Sequence, residues 1–100
     1  MSKLNVMLHA PTPDALNRAR RNARNLLKSR PDAGVLIIVN GAAVATALAQ
    51  PDPDTDALLR LCRNSMAAQN LENTGGVAEV EAAVVTLAEL QGQGWAYIRT

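Results

Sequence analysis

The chain has no phenylalanine, one tryptophan and one tyrosine among its 100 residues. Its core must therefore be built from Ala, Val, Leu and Ile, small or branched side chains that suit helices packed closely on a sheet. Such a core buries less area per residue, so an isolated monomer is expected to be marginal and self-association follows as an expectation. There is a single cysteine; an internal disulfide is impossible, which fits a reducing compartment. There is a single histidine, and no second His or Cys stands at ligand spacing, so no metal site and no cofactor are expected. Charge of one sign is lacking too. A formal net charge of +1 supplies no field that would argue for nucleic acid or a membrane surface as partner. The apolar run in "MSKLNVMLHAPTPD" is broken by Asn5 and closed by prolines, too short for a signal-peptide core, and no segment approaches membrane-spanning length. A cytoplasmic location is the expectation.

What is present is a regular alternation. "KLNVMLHA" reads as a first strand ending at "PTP". Thr12 can cap a helix with Pro13 at its first position and Asp14 in its first turn. Leu16, Ala19, Ala23, Leu26 and Leu27 then recur at three- and four-residue spacing, with Arg18, Arg21, Asn25 and Lys28 on the opposite side. "GVLIIVN" is an unbroken apolar run, the mark of a strand buried on both faces. Asn40-Gly41 follows it, and the alanine-rich "AAVATALAQ" behind favours helix, so Asn40 is expected as a helix cap. After the loop "PDPDTD", "ALLRLC" reads as the third strand and "NSMAAQNL" as a short helix. "VAEVEA" is a weaker strand, "AVVTLAELQGQG" a helix stopped by Gly92 or Gly94, and "WAYIRT" the last strand. This predicts one α/β domain over 1–100: a small three-layer parallel sheet of about five strands with helices on both faces. The common flavodoxin-like order 2-1-3-4-5 is expected.

In such a sheet, ligands bind outside the carboxyl ends of the strands. Those ends carry His9 after the first strand, Asn40 and Gly41 after the second, and Cys62 after the third. In the expected order His9 and Cys62 flank one crevice. Cys62 would also stand just before a helix, where free backbone N–H groups favour the thiolate, with Arg63 beside it and Asn64 and Ser65 as further donors. The plainer reading is that cysteine is among the most often buried residues and here merely finishes a strand. Ser65 lacks a nucleophile-elbow pattern. The glycine pairs lack the order of a dinucleotide loop, the arginines of the first helix read as a solvated face, and Trp95 and Tyr97 read as strand packing.

Taken together, the order of elements, "VLIIVNG" after the asparagine-rich "NRARRNARNLL", "CRNSM" at the end of the third strand and the closing "GWAYIR" resemble the DsrE/DsrF-like sulfur-relay proteins, in particular their stand-alone branch. The segment 49–56 is shorter than the usual helix and linker there. The resemblance implies a small parallel α/β fold that assembles as trimers or hexamers. It also implies a cysteine after the third strand that accepts sulfur as a persulfide and passes it to a partner; Cys62 matches that position. Two functions are therefore expected as rivals. One is a sulfur carrier working with donor and acceptor proteins, with Asn40, Asn64 and backbone N–H groups near Gly41 and Arg63 as donors and His9 assisting proton transfer. The other is a non-catalytic ligand-binding or assembly module in which Cys62 is structural.

Overall fold

A computed structural model describes residues 3–100. Its elements run β1 (Asn5–Ala10), α1 (Pro13–Ser29), β2 (Gly34–Val39), α2 (Ala43–Ala49), a short 3₁₀ turn (Asp56–Leu58), β3 (Leu59–Cys62), α3 (Arg63–Ala68), β4 (Glu79–Val80), α4 (Ala83–Gly92) and β5 (Ala96–Arg99). The α1 start forms as the sequence dictates: Thr12 Oγ1 accepts the Ala15 N–H at 3.1 Å, with Pro13 in the first turn. Between the two glycines expected to stop α4, the helix runs through Gly92 and Gly94 takes the left-handed turn, with φ +87°.

All strand pairs are parallel, in the order β4-β3-β2-β1-β5. This corrects the expected 2-1-3-4-5. The chain does not reverse after β2; it steps on to β3 and β4, then crosses the whole sheet to lay β5 against the free edge of β1. Right-handed crossovers put helices from same-direction steps on one face. Thus α1, α2 and α3 share one face and α4 alone covers the other.

Two cores follow. The larger joins Val6, Leu8, Val35, Ile37, Val39, Leu59 and Leu61 of the sheet to Leu16, Ala19 and Ala23 of α1, Val44 of α2 and Met66 of α3. The smaller joins Met7, Ile38 and Cys62 to Ala83 and Leu90 of α4, with Leu36, Leu87 and Trp95 at its margin. Alternate residues of β1, β2 and β3 serve the two cores, as the pleat requires. One member of the α1 face departs from the solvated reading: Arg20 lies four residues after Leu16, on the buried stripe, and is only 5% exposed. It pairs with Asp56 at 3.1 Å, while Arg24 pairs with Asp52, so α1 straps down the loop that precedes β3. No helix among the described residues is long and apolar enough to cross a membrane.

Candidate functional site

With this strand order, adjacent strands β3 and β4 send their carboxyl-end connections to opposite faces: α3 to the larger core, α4 to the smaller. A crevice opens where such connections diverge. Cys62 is the last residue of β3 and the residue that caps α3. The reversal thus falls at Cys62 after all, but on its β4 side.

The thiol is 5% exposed and packs with Met7, Ile38, Ala83 and Leu90. It is not walled in by hydrocarbon alone. The Ala83 N–H, first of α4, donates to Sγ at 3.4 Å. The Asn64 and Ser65 backbone and the Ser65 hydroxyl make no hydrogen bond to the sulfur, yet their dipoles favour negative charge there. Burial works to raise the thiol pKa. The Ser65 and Ala83 backbone groups, the Ser65 hydroxyl and the Asn64 backbone outweigh it, and the thiol is held below its ordinary value. Next to this point is a cleft of about 330 Å³ lined by Asn64, Val80, Glu81, Ala82, Val85 and Glu89, among others. Cys62 does not itself line it; Val80, its partner across the ladder, and Ala82, the residue before the donating amide, do.

The other expected site residues divide. Arg63 turns away from the sulfur and pairs with Glu79 at 3.0 Å, a carboxylate that Asn73 also grips, holding its pKa below the usual range. Gly41 spends its N–H on Ser65 Oγ at 2.9 Å, so it offers none to a sulfur ligand. Its φ is +57°, and a Cβ there would stand 2.9 Å from the Pro11 carbonyl oxygen, so glycine is required. Asn40 is not the cap of α2: that helix is preceded by Ala42 with no side-chain cap. The Asn40 side chain is instead taken by His9, whose Nε2 lies 3.0 Å from Oδ1.

His9 does not share a two-strand crevice with Cys62, because β2 lies between β1 and β3. What joins them is register. Val39 pairs with Leu61, so Asn40 and Cys62 each stand one residue beyond the same rung. Sequence reasoning missed Tyr97, whose hydroxyl lies 2.6 Å from His9 Nδ1. Only the pairing of β5 with β1, between residues 88 apart, brings them together, and no local signal announces it. A second hollow, of about 420 Å³, lies between α1 and the loop after α2. Of its three arginines, Arg20 and Arg24 are engaged by Asp56 and Asp52, while Arg21 makes no ion pair among the described residues. No group of three or more metal-ligating side chains occurs among the described residues.

No protein-family model matches the chain and no curated protein matches it. Among solved structures, the chain is similar to the protein of unknown function MTH1491 from Methanobacterium thermoautotrophicum, with a TM-score of 0.66, 20% identity and full coverage of both chains. At that identity the likeness establishes a shared α/β fold and nothing of activity.

Proposed function

We propose that the protein is a thiol-based sulfur carrier of the DsrE/DsrF-like kind, with Cys62 as its nucleophile. In the loading step the Cys62 thiolate attacks the terminal sulfur of a donor persulfide, R–S–SH. A bond forms between Sγ and that sulfur, and the bond between the two donor sulfurs breaks. The electron pair leaves with the donor as the thiolate R–S⁻, which water protonates; nothing is oxidised or reduced overall. Passing the sulfur to an acceptor thiolate is the same exchange in reverse.

The observation that carries this reading is the Ala83 N–H at 3.4 Å from Sγ, at the start of a second helix beyond the one Cys62 caps. A thiolate needs such donors, whereas a space-filling cysteine needs none. Incubation with a small organic persulfide followed by intact-mass analysis tests it. Wild type should gain the mass of one sulfur atom and Cys62→Ser none; an unmodified wild type, under conditions that load a known carrier protein, counts against the proposal.

The rival reading, a binding or assembly module with a structural Cys62, draws on one specific observation: the thiol is only 5% exposed and sits in the smaller core. Under that reading Cys62 would titrate at or above the ordinary thiol value, near 8.5. The trimer or hexamer that the resemblance implies is supported by apolar side chains left in solvent on α4 and β5: Val84 at 72% exposure, with Val85, Tyr97 and Ile98. Sedimentation that stays monomeric at high concentration would remove that part.

A further inference from the structure

We propose that Tyr97, His9 and Asn40 form a second reactive site, independent of Cys62, at which the Tyr97 phenol takes up a phosphoryl group from an activated phosphate donor.

The sheet assembles this site. Met7 and Ile38 pack under α4. Two residues further along the same strands, on the same face, stand His9 and Asn40. Parallel pairing sets Tyr97 level with Met7 and Arg99 level with His9. This end of the face is open: Tyr97 is 41% exposed and Arg99 lies in solvent. The carboxyl ends of parallel strands are where such sheets receive ligands.

The geometry is that of an activated nucleophile. The Tyr97 hydroxyl lies 2.6 Å from His9 Nδ1, and Asn40 Oδ1 lies 3.0 Å from His9 Nε2. An amide oxygen only accepts, so Nε2 carries the ring hydrogen, and Nδ1 of the neutral ring is the bare base facing the phenol. Nucleophile, base and a third group that orients the base thus stand in sequence. A tyrosine that merely packs at a sheet edge needs only water for its hydroxyl. Here the hydroxyl meets the one histidine of the chain, whose other nitrogen is already held.

The kind of electrophile follows from what can receive negative charge. Three nearby backbone N–H groups are spent: Asn40 on the Ala10 carbonyl, Thr100 on the His9 carbonyl and Gly41 on Ser65 Oγ. None of these is left to hold the single oxyanion of acyl transfer. Arg99 is left, with no ion pair among the described residues. A free guanidinium beside the nucleophile suits the several oxygens of a phosphoryl group. In the step, Tyr97 Oη attacks phosphorus; an Oη–P bond forms and the bond from phosphorus to the leaving group breaks. The electron pair leaves with that group, the phenol proton passes to His9 Nδ1, and nothing is oxidised or reduced. Asn40 is a positioning residue, steadying the imidazolium through Nε2–H.

The test is labelling of the intact protein with diisopropyl fluorophosphate, a phosphoryl donor whose leaving group is fluoride, with the site mapped by peptide mass analysis. Tyr97 should react about 100-fold faster than N-acetyltyrosinamide, and His9→Phe and His9→Gln should both lose that advantage. Asn40→Ala should slow labelling by about 10-fold, and Asn40→Asp, which keeps an acceptor for Nε2–H, should restore it. Arg99→Gln should slow it by roughly 10-fold. Cys62→Ser should label as wild type does, so a failure of sulfur loading and a failure here are read on different residues. A thermal melt verifies that each variant is folded. Wild-type Tyr97 no faster than the free compound, His9 variants labelled at the wild-type rate, or Asn40→Asp as slow as Asn40→Ala would overturn the proposal. An equal advantage toward 4-nitrophenyl acetate, an acyl donor, would overturn the assignment to phosphate.

Discussion

The two faces of the sheet are built for different ends. On the face of α1, α2 and α3 the strands present Val, Leu and Ile to an aliphatic core, beside which the buried Arg20 is paired with Asp56. On the face of α4 the same strands present Met7, then His9; Ile38, then Asn40; and finally Cys62. One short helix covers only part of that face, and polar groups occupy the rest. Stability is concentrated on the first face, while the second gives up burial to hold a sulfur and the dipoles around it.

That comparison can be broken by substitution. Leu16→Ala, at a fully buried position on the first face, should cost about 2–5 kcal/mol by urea denaturation and leave the alkylation midpoint of the folded protein unchanged. A shifted midpoint would mean that the faces are not independent. Gly41→Ala, strained at φ +57° and against Pro11, should cost about 1–3 kcal/mol and, unlike Leu16→Ala, raise the thiol midpoint. Thr12→Ala, which removes the cap of α1, should cost about 1 kcal/mol with no change in thiol titration.

A smaller effect lies in pH. The Cys62 pKa is lowered in the fold, so the unfolded chain binds more protons between the two values and stability rises with pH there. This contribution is complete above the unfolded thiol value, near 8.5, and is lost as pH falls through the folded one. Urea midpoints of wild type measured against Cys62→Ala should therefore diverge as pH rises to about 8.5 and run parallel above it. On the first face the matching group is Asp52. Burial works to raise its pKa, but the Arg24 side chain and the Asp54 backbone outweigh it and hold it low. Its stabilisation is present above the ordinary carboxylate value and disappears as acid brings pH through the folded one, and Asp52→Asn should flatten that acid limb.

What could be read from the sequence was local. The Thr12-Pro13 start of α1, the buried "VLIIV" of β2 and the placing of Cys62 at a strand end beside a helix start are each written in neighbouring residues. Strand order was not, because it is decided by which edge the last strand finds, and β5 would satisfy its backbone at either edge of a parallel sheet. The Asn40 role was misread for the same reason. Asparagine before an alanine-rich helix is a good cap in isolation, yet here a histidine from a neighbouring strand claims its side chain. Burial of Arg20 was legible in principle, since it lies on the Leu16 stripe, but only the loop carboxylate of Asp56 makes a buried guanidinium tolerable.

The central claim is that the fold makes Cys62 a better thiolate than the chain alone would. Its most direct measurement is the pH dependence of Cys62 alkylation in native protein beside the same protein unfolded in urea, compared by midpoint so that limited access to the sulfur does not enter. A native midpoint below the unfolded one is the predicted result. A native midpoint equal to or above it would contradict the account.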